Sequence, residues 1–396
     1  MTSRIPRAPA CLVTATLVLA TAATAQAPRT GLEVGGVPAL NFDSDEGFGY
    51  GVVLELYHYG QVERAPYLWT LQPTVFLTTE GRRDLTVFFD SPHLLPGGWR
   101  LDAYVGSEKH VATPYYGLGN DAPYDQALET DADPYYYRFG RTRNRVAVNV
   151  QRGLGGLPLR VLVGAGVDHV SLTPVPEGEG TTLLAGELAG APAPEGWSNH
   201  VRAGLVWDTR DRETGTRRGT WTEVLAQRVD EALGSDFGYT RVTLADRRYV
   251  PLTGRLVFAN RFLLQHVSEG APMHDLNRVQ TSFKQQEGLG GAKSVRGVMK
   301  NRYVGRGMFL WNAELRWRAA DFRFLGRPFH AVLSAFLDQG RVWEDGVLVD
   351  ELFADLHRGY GGGLRLGMGE NFVVALDAGT SRETGMPLYI GLGYLF

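Results

Sequence analysis

The chain of 396 residues contains one cysteine, Cys11, and no dense basic tract. Cys11 falls in an N-terminal segment that we expect to be removed, so the mature chain has no thiol, which excludes disulfides and thiolate-bound metals. Without a basic tract, neither nucleic acid nor a polybasic contact with lipid is predicted. After the N-terminal segment no apolar run is long enough for a membrane-spanning helix, and the mean hydropathy is only −0.16.

Catalytic motifs are also missing from the sequence. It has no His-Glu-x-x-His, no Gly-x-Ser-x-Gly, no P-loop and no group of carboxylates at metal-ligand spacing. The dipeptide Asp168-His169 is the one enzyme-like feature, but neighbouring residues of a strand face opposite sides of the sheet. We therefore predict a protein that is not an enzyme, with no catalytic residue, no cofactor and no metal site.

The N-terminus has the pattern of a secretory signal. Arg4 and Arg7 precede a short apolar core over residues 11–23, and small residues follow up to Ala25. The core is too short to cross a bilayer as a helix, so we expect cleavage after Ala25. The predicted domains are a signal peptide over residues 1–25 and a single outer-membrane β-barrel over residues 26–396.

Glycine and aromatic residues are abundant: the chain has 50 Gly, 8 Trp, 17 Tyr and 18 Phe. Residues alternate between apolar and polar along many segments, as where Leu315 and Trp317 are interleaved with charged side chains. A soluble β-sandwich also alternates. Arginine and glutamate opposite tryptophan and leucine, however, indicate a wet lumen on one side and a lipid-facing wall on the other.

Counting these segments gives sixteen strands, an even number as in single-chain bacterial barrels. If the first strand starts at the periplasmic side, the short connections are periplasmic and the long ones all lie outside, including 267–306. We predict an all-β protein of the cell outer membrane: a 16-stranded antiparallel transmembrane β-barrel with both termini periplasmic. The predicted strands are 32–42, 48–58, 66–77, 83–91, 99–106, 136–151, 158–170, 199–207, 219–229, 238–249, 255–266, 307–318, 329–340, 358–367, 371–380 and 387–396.

Two short motifs predict that the sixth outer loop folds into the lumen. Val295-Arg296-Gly297 lies in that loop, and Phe336, Asp338 and Gly340 share one face of strand 13. Asp338 must face the lumen, because a carboxylate in hydrocarbon costs several kcal/mol. Gly340 leaves space beside it, and Gly297 permits a tight turn. An Arg296–Asp338 ion pair shielded from bulk water would latch the loop inside the barrel.

With these motifs in this order, the chain resembles the outer-membrane barrel superfamily of BamA, TamA and the two-partner secretion transporters, the bacterial surface antigen family. Residues 208–211 in a periplasmic turn and 115–120 in an outer loop add to the likeness. The resemblance implies a Gram-negative outer membrane, with membrane lipid and the barrel assembly machinery as partners. Val298 stands where the family usually has an aromatic residue, and the sequence looks like single-barrel members that lack POTRA domains.

The last residues suggest an assembly signal. Leu392, Tyr394 and Phe396 share one parity with Leu388 and Ile390, so we expect all of them to face lipid, and the resemblance implies that they mark the chain for assembly. The alternative is simply an apolar last strand. The lumen arginines are expected to pair with lumen acids such as Glu314, and a weak anion preference is the alternative; they are Arg141, Arg143, Arg145, Arg316 and Arg318.

Two functions remain open at this point. The intact latch motifs favour a barrel that opens laterally and assists protein or lipid insertion or translocation, with an unknown client. The missing client-recruiting domain favours a passive, loop-plugged pore or a structural surface protein. The first strand would be a weak edge, because proline donates no ladder hydrogen bond and glycine weakens a strand; the residues concerned are Gly31, Gly35, Gly36 and Pro38. Lateral opening would need such a weak seam.

Overall fold

The computed structural model describes residues 30–43, 47–61, 66–131, 133–176, 178, 180–282, 286–369 and 372–396, so the predicted signal peptide over 1–25 lies outside the described residues. Consecutive strands pair antiparallel from the first to the sixteenth, as the alternation predicts. The strands are β1 Gly31–Asp43, β2 Gly47–Gly60, β3 Trp69–Thr78, β4 Arg83–Leu95, β5 Trp99–Pro114, β6 Arg138–Gly153, β7 Leu159–Thr173, β8 His200–Asp208, β9 Gly219–Val229, β10 Tyr239–Pro251, β11 Leu256–Val267, β12 Gly307–Phe324, β13 Arg327–Trp343, β14 His357–Met368, β15 Phe372–Thr380 and β16 Leu388–Leu392.

Little else in the described chain is regular. Gly196–Trp197 pairs antiparallel with Val170 and His169 of β7. Arg278–Val279 pairs with Gln286–Glu287 inside the connection between β11 and β12. Among the described residues, no helix has the length and apolar character needed to cross a membrane. The helical turns are Leu183–Leu188, Met273–Leu276, Gln126–Leu128, Glu231–Leu233 and Val349–Glu351.

The two faces of the sheet differ as the alternation predicts. On β12, Leu315 and Trp317 are 44% and 48% exposed, whereas Glu314 and Arg316 between them are buried. Apolar side chains that would be costly in water are stable against lipid, and charged side chains that would be costly in lipid face the interior. The exposed face is therefore the lipid-facing wall, and the buried polar face lines the lumen.

Strands β12 and β13 are longer than predicted. Alternation in the sequence stops near Arg318, but a bulge between Arg318 and Ala320 absorbs the irregularity and pairing continues to Phe324 and Arg327. A bulge adds one residue to one strand without ending the ladder, so period-2 counting stops too early. The resulting hairpin extends at the end that holds Gly31 and the C-terminus, which we call the periplasmic end.

The predicted path of the last strand is wrong beyond Leu392. Leu388 and Ile390 face outward, 66% and 60% exposed, but Gly393 adopts a φ of +77° and turns the chain inward. The rings of Tyr394 and Phe396 then lie 4.6 and 4.8 Å from the guanidinium carbon of Arg316 on the inner wall. Neither ring faces lipid. The left-handed backbone conformation of Gly393 turns the chain into the lumen, and cation–π contacts with Arg316 hold the two rings there.

This turn leaves a seam between β1 and β16. Within the described ranges no ladder joins the two strands, although β1 pairs with β2 along its whole length. At the periplasmic end the Gly393 amide donates to the Val373 carbonyl at 2.8 Å. A Cβ on Gly35 would lie 3.8 Å from the Phe372 ring, so side-chain contact rather than backbone pairing brings β1 near β15.

Candidate functional site

The connection between β11 and β12, residues 268–306, is called loop 6, and its described residues, 268–282 and 286–306, lie against the inner wall. Arg296 at its tip is fully buried. Its Nε and Nη2 donate to the two carboxylate oxygens of Asp338 at 2.7 and 3.0 Å, and its backbone amide donates to the same carboxylate at 3.1 Å. Such a bidentate, charge-assisted pair fixes orientation as well as distance.

Two further carboxylates hold the same guanidinium. Nη1 of Arg296 lies 2.7 Å from Glu314 and 3.2 Å from Asp377. Arg316 pairs with Glu314 at 2.7 Å, as the sequence predicts, and Arg365 pairs with Asp377 at 2.5 Å. Three acids thus meet three arginines, a set we call the tip network. Burial alone would lower the pKa of Arg296, but Asp338, Glu314 and Asp377 raise it above its usual range.

The other members of the strand motif also touch the loop. The Phe336 ring lies 3.5 Å from the guanidinium carbon of Arg296, a close cation–π contact. A Cβ on Gly340 would lie 2.5 Å from the Leu289 side chain of loop 6, so glycine is needed there for the loop to approach. All three residues of the predicted Phe336, Asp338 and Gly340 set therefore face the loop.

Both the backbone conformation and the surroundings of Gly297 require a glycine at this position. Its φ is +94°, and a Cβ would lie 2.5 Å from the Thr380 carbonyl carbon. The Gly297 amide donates to the Tyr389 hydroxyl at 2.9 Å, and its carbonyl accepts from the hydroxyls of Ser381 and Thr384. Gly297 therefore ties the tip to β16 and to the outer end of β15.

Val295, the first residue of the Val295-Arg296-Gly297 motif, and Val298, which follows the motif, are both buried. They join a hydrophobic cluster that includes Leu289 and Tyr303 of the same loop and Leu310 of β12. Val298 therefore packs in the cluster, although the resemblance implies an aromatic residue at this position. The cluster shields the tip network from water on the loop side, which strengthens its ion pairs.

The sequence interpretation missed the surface that receives the tip. A Cβ on Gly359 would overlap the carbonyl oxygen of Arg296, and a Cβ on Gly379 would lie 3.0 Å from its carbonyl carbon. A Cβ on Gly361 would lie 2.7 Å from the Phe336 ring. The glycine-rich run 359–363 on β14 was the available signal, because glycine within a strand often marks a close approach of another backbone.

A second contact between loop 6 and the wall was also missed. Asp275, in the helical turn Met273–Leu276, accepts from Arg278 at 2.8 Å, from the Tyr239 hydroxyl at 2.7 Å and from Arg143 at 3.3 Å. Arg241 of β10 donates to its backbone carbonyl at 2.6 Å. These contacts join the first part of loop 6 to β6 and β10, on a different part of the wall from the tip.

Asp168 of β7 extends this second set. It lies 3.7 Å from both Arg145 and Arg278. The set, which we call the neck network, contains two carboxylates and three arginines: Asp168, Asp275, Arg143, Arg145 and Arg278. Burial alone would raise the pKa of Asp275, but Arg278, His274 and Arg143 hold it well below its usual value. Only the arginines on alternate positions of β6 gave a hint of this network in the sequence.

Asp168 and His169 do not form a dyad, as expected for neighbouring residues of a strand. Asp168 is buried in the neck network, whereas His169 packs edge-on against Trp197 at 4.8 Å. In the described part of the chain, no group of three or more His, Cys, Asp and Glu side chains is arranged to hold a metal ion. The chemistry of the site is ion pairing and packing that position a loop.

The two further family-like segments lie at opposite ends of the lumen. In the periplasmic turn, Asp208 pairs with Arg160 at 2.6 Å, and Asp211 accepts from the backbone amide of Arg217 at 3.0 Å. Both acids are turn anchors, as expected. At the outer end, the side-chain amide of Asn120 donates to the Asp355 carbonyl at 2.9 Å, and its oxygen accepts from the Val342 amide at 3.0 Å.

Known proteins share this fold. A family model described as the Omp85 superfamily domain matches residues 77–372. BamA from Haemophilus ducreyi lacking POTRA domains 1-3 is similar at a TM-score of 0.54 and 14% identity, over 92% of this chain and 69% of that one. CdiB from Escherichia coli gives 0.56 and 14%, over 92% and 62%. CdiB from Acinetobacter baumannii gives 0.52 and 12%, over 93% and 60%. No curated protein matches the sequence.

Proposed function

Because this chain belongs to the Omp85 superfamily and is a β-barrel protein of the cell outer membrane, we propose that it assists the insertion or translocation of polypeptide or lipid through its β1–β16 seam. The observation that carries the proposal is the unpaired seam. The five residues of β16 cannot cover the thirteen residues of β1. An edge with free backbone groups can pair with an incoming strand, which is how β-augmentation recognises peptides.

Space behind the seam supports the proposal. Loop 6 contacts the inner faces of the strands from β6 to β15. A cavity of about 330 Å³ remains beside β2–β5. Glu55, Tyr57 and Gln72 line its polar side, and Phe372 and Leu392 line the side next to the seam. A polar wall facing an apolar one suits a segment that alternates, such as an unpaired β-strand.

A covalent lock across the seam tests the proposal. Cysteines at Gly35 and Phe372, joined by a short bifunctional maleimide, would tie β1 to β15. Cysteines at Val75 and Leu85, which are direct partners on the exposed face of the laddered β3–β4 pair, provide the matched control. The measurement is rescue of a deletion strain, read as outer-membrane levels of other barrel proteins and of lipid. We expect the seam lock, and not the control, to abolish rescue.

The alternative is a passive, loop-plugged pore or a structural surface protein. The tip and neck networks favour it, because a loop held at two places obstructs the lumen. If the seam-locked protein rescues the deletion strain as well as the control does, the passive role replaces the proposal. We further propose that the protein has no enzymatic activity, that its clients are polypeptides or lipids, and that the assembly machinery recognises Leu392, Tyr394 and Phe396 before the tail turns inward.

A further inference from the structure

A second cavity, of about 120 Å³, lies at the periplasmic end of the lumen. Six basic side chains line it, from the turn after β8, the turn after β10, and the inner faces of β12 and β13: Arg212, Arg217, Arg255, Arg316, Arg318 and His330. Among the residues that the structure describes, none of the lining side chains is acidic. Tyr394 of the inward-turned tail closes one side.

The acids near this cavity do not balance its charge. Arg316 and Arg318 have close carboxylate partners outside the lining, Glu314 and Asp321, each at about 2.7 Å. Arg212 lies 3.8 Å from the carboxylate of Asp211, near the limit for an ion pair. The clustered positive charges raise the electrostatic potential in the cavity and favour binding of an anion.

The other two arginines of the cavity, Arg217 and Arg255, hydrogen-bond to backbone carbonyls, which carry no net charge. Arg217 donates to the Gly254 carbonyl, and Arg255 donates to the Ala319 carbonyl at 3.4 Å. A carbonyl positions a guanidinium without neutralising it. Asp321, which already pairs with Arg318, also interacts electrostatically with Arg255. One shared carboxylate does not balance both of these arginines, and Arg217 and Arg255 each retain further N–H donors for an anion.

The shape and place of the cavity indicate the class of anion. Its volume is far more than one water needs, and guanidinium groups match the tetrahedral oxygens of phosphate. Beside it, the β12–β13 hairpin exposes Phe322, Phe324 and Leu325 on its outer surface. Exposed aromatic and aliphatic side chains at a barrel end mark the membrane interface, where lipid phosphates lie.

We infer that this basic cavity binds the phosphate of an anionic phospholipid headgroup. A lipid phosphate reaching the mouth of the barrel would place its oxygens among Arg212, Arg217 and Arg255, while its chains stay with the apolar hairpin. The site does not depend on whether the seam opens, so it can be tested apart from the proposed function.

The test uses the whole protein in a zwitterionic detergent. Native mass spectrometry measures binding of a phosphatidylglycerol and a phosphatidylcholine with the same chains, and inorganic phosphate is added as competitor. The test variant is Arg212→Gln with Arg217→Gln. The control is Arg228→Gln with Arg306→Gln, two arginines at the outer end that pair with Asp230 and Asp345. Heat-modifiable gel mobility verifies that every variant is folded.

We expect phosphatidylglycerol to bind the wild type and the control, and to bind the test variant at least about tenfold more weakly, because the loss of even one of the two charge-assisted hydrogen bonds has an effect of that size. Displacement of that lipid by millimolar phosphate would show that the site reads the phosphate itself. Binding of phosphate alone, with no preference for phosphatidylglycerol over phosphatidylcholine, would replace the lipid with a free ion and overturn the lipid assignment. Equal lipid affinity in the test variant and the control would overturn the site.

Discussion

The tip and the neck of loop 6 are both held by buried ion pairs, yet they are built differently. The tip network balances three carboxylates with three arginines and rests on glycines of β14 and β15. The neck network sets two carboxylates against three arginines and has a buried histidine, His274, beside them. In a network with equal numbers of acids and arginines, the stability changes little with pH and salt. In a network with an excess of arginines, the loss of a single acid leaves several buried positive charges without a partner.

The two networks hold loop 6 against different parts of the wall. The tip joins loop 6 to β12–β16, next to the seam, and the neck joins it to β6, β7 and β10 across the lumen. A loop fixed only at the tip could still swing at the neck. We therefore expect the neck to be the part of the loop that loosens first, and the tip to determine whether the loop stays inside the barrel.

Replacing Arg296 should release loop 6 from the wall more than any of the other changes. Arg296→Ala leaves Asp338, Glu314 and Asp377 with two arginines instead of three. Breaking a buried pair from one side costs about 3–5 kcal/mol, and less where lumen water reaches the carboxylates. We expect larger conductance in planar bilayers and faster protease cleavage between residues 267 and 306.

The matched control for that change is Arg306→Ala in the same loop, because its partners Glu269 and Asp345 are exposed. Adding Asp338→Ala to Arg296→Ala should restore part of the loss, since one of the unpaired acids is then gone. Conductance and cleavage rates that match those of the control would mean that the tip network does not hold the loop.

Replacing Asp275 of the neck network should have the second-largest effect on loop 6. Asp275→Asn leaves Asp168 alone among three arginines, while the amide can still bond to Tyr239. We expect a cost of about 2–3 kcal/mol, from a lost charge-assisted contact and new repulsion between arginines. Hydrogen exchange should rise over residues 270–282 and stay unchanged around residue 296.

An exposed acid provides the comparison for Asp275→Asn. Asp345→Asn removes a surface partner of Arg306, and such pairs contribute about 0–1 kcal/mol. If Asp275→Asn instead releases the tip along with the neck, the two networks form one cooperative unit and the distinction between them fails.

The sequence predicted the frame and the tip better than the neck and the tail. Strands follow from alternation, which is local, and Arg296 and Asp338 were found because short motifs mark them. Asp275 and Arg143 are 132 residues apart in the chain, and no local pattern connects them. The inward turn after Leu392 needs Gly393 and a distant cation, Arg316, so the parity of the last strand alone predicted the wrong face for Tyr394 and Phe396.

The glycine surface under the tip should give a smaller effect. Gly359→Ala would place a methyl group against the Arg296 carbonyl, so the tip must shift away from β14. Overpacking of this kind costs about 1–3 kcal/mol. Gly362→Ala on the same strand is the matched control, because its Cβ would meet only the Ser334 carbonyl, at 3.3 Å. Protease cleavage of loop 6 reports the shift, and equal rates for the two variants would show that the tip does not need the glycine.

The smallest effect should come from pH and should appear at the neck only. Neither ring nitrogen of His274 has a hydrogen-bond partner among the described residues, and its ring packs against Phe237 at 5.9 Å. Burial lowers the pKa of His274 from 6.5 to about 4; Arg143, Arg141 and Arg278 lower it too, and Asp275 opposes them.

A lowered histidine pKa means that the folded neck favours the neutral ring. Its contribution to stability is therefore nearly complete at pH 7.5 and declines as the pH falls through 6.5 toward 4, amounting to a loss of about 1.3 kcal/mol between pH 7.5 and 5.5. Hydrogen exchange over residues 270–282 should rise about tenfold between pH 7.5 and 5.5, after correction for the intrinsic exchange rate, while exchange at residues 294–298 should not. His274→Phe keeps a ring against Phe237 and should remove the rise. If the rise persists in that variant, another group controls the neck, and the contrast with the tip does not come from His274.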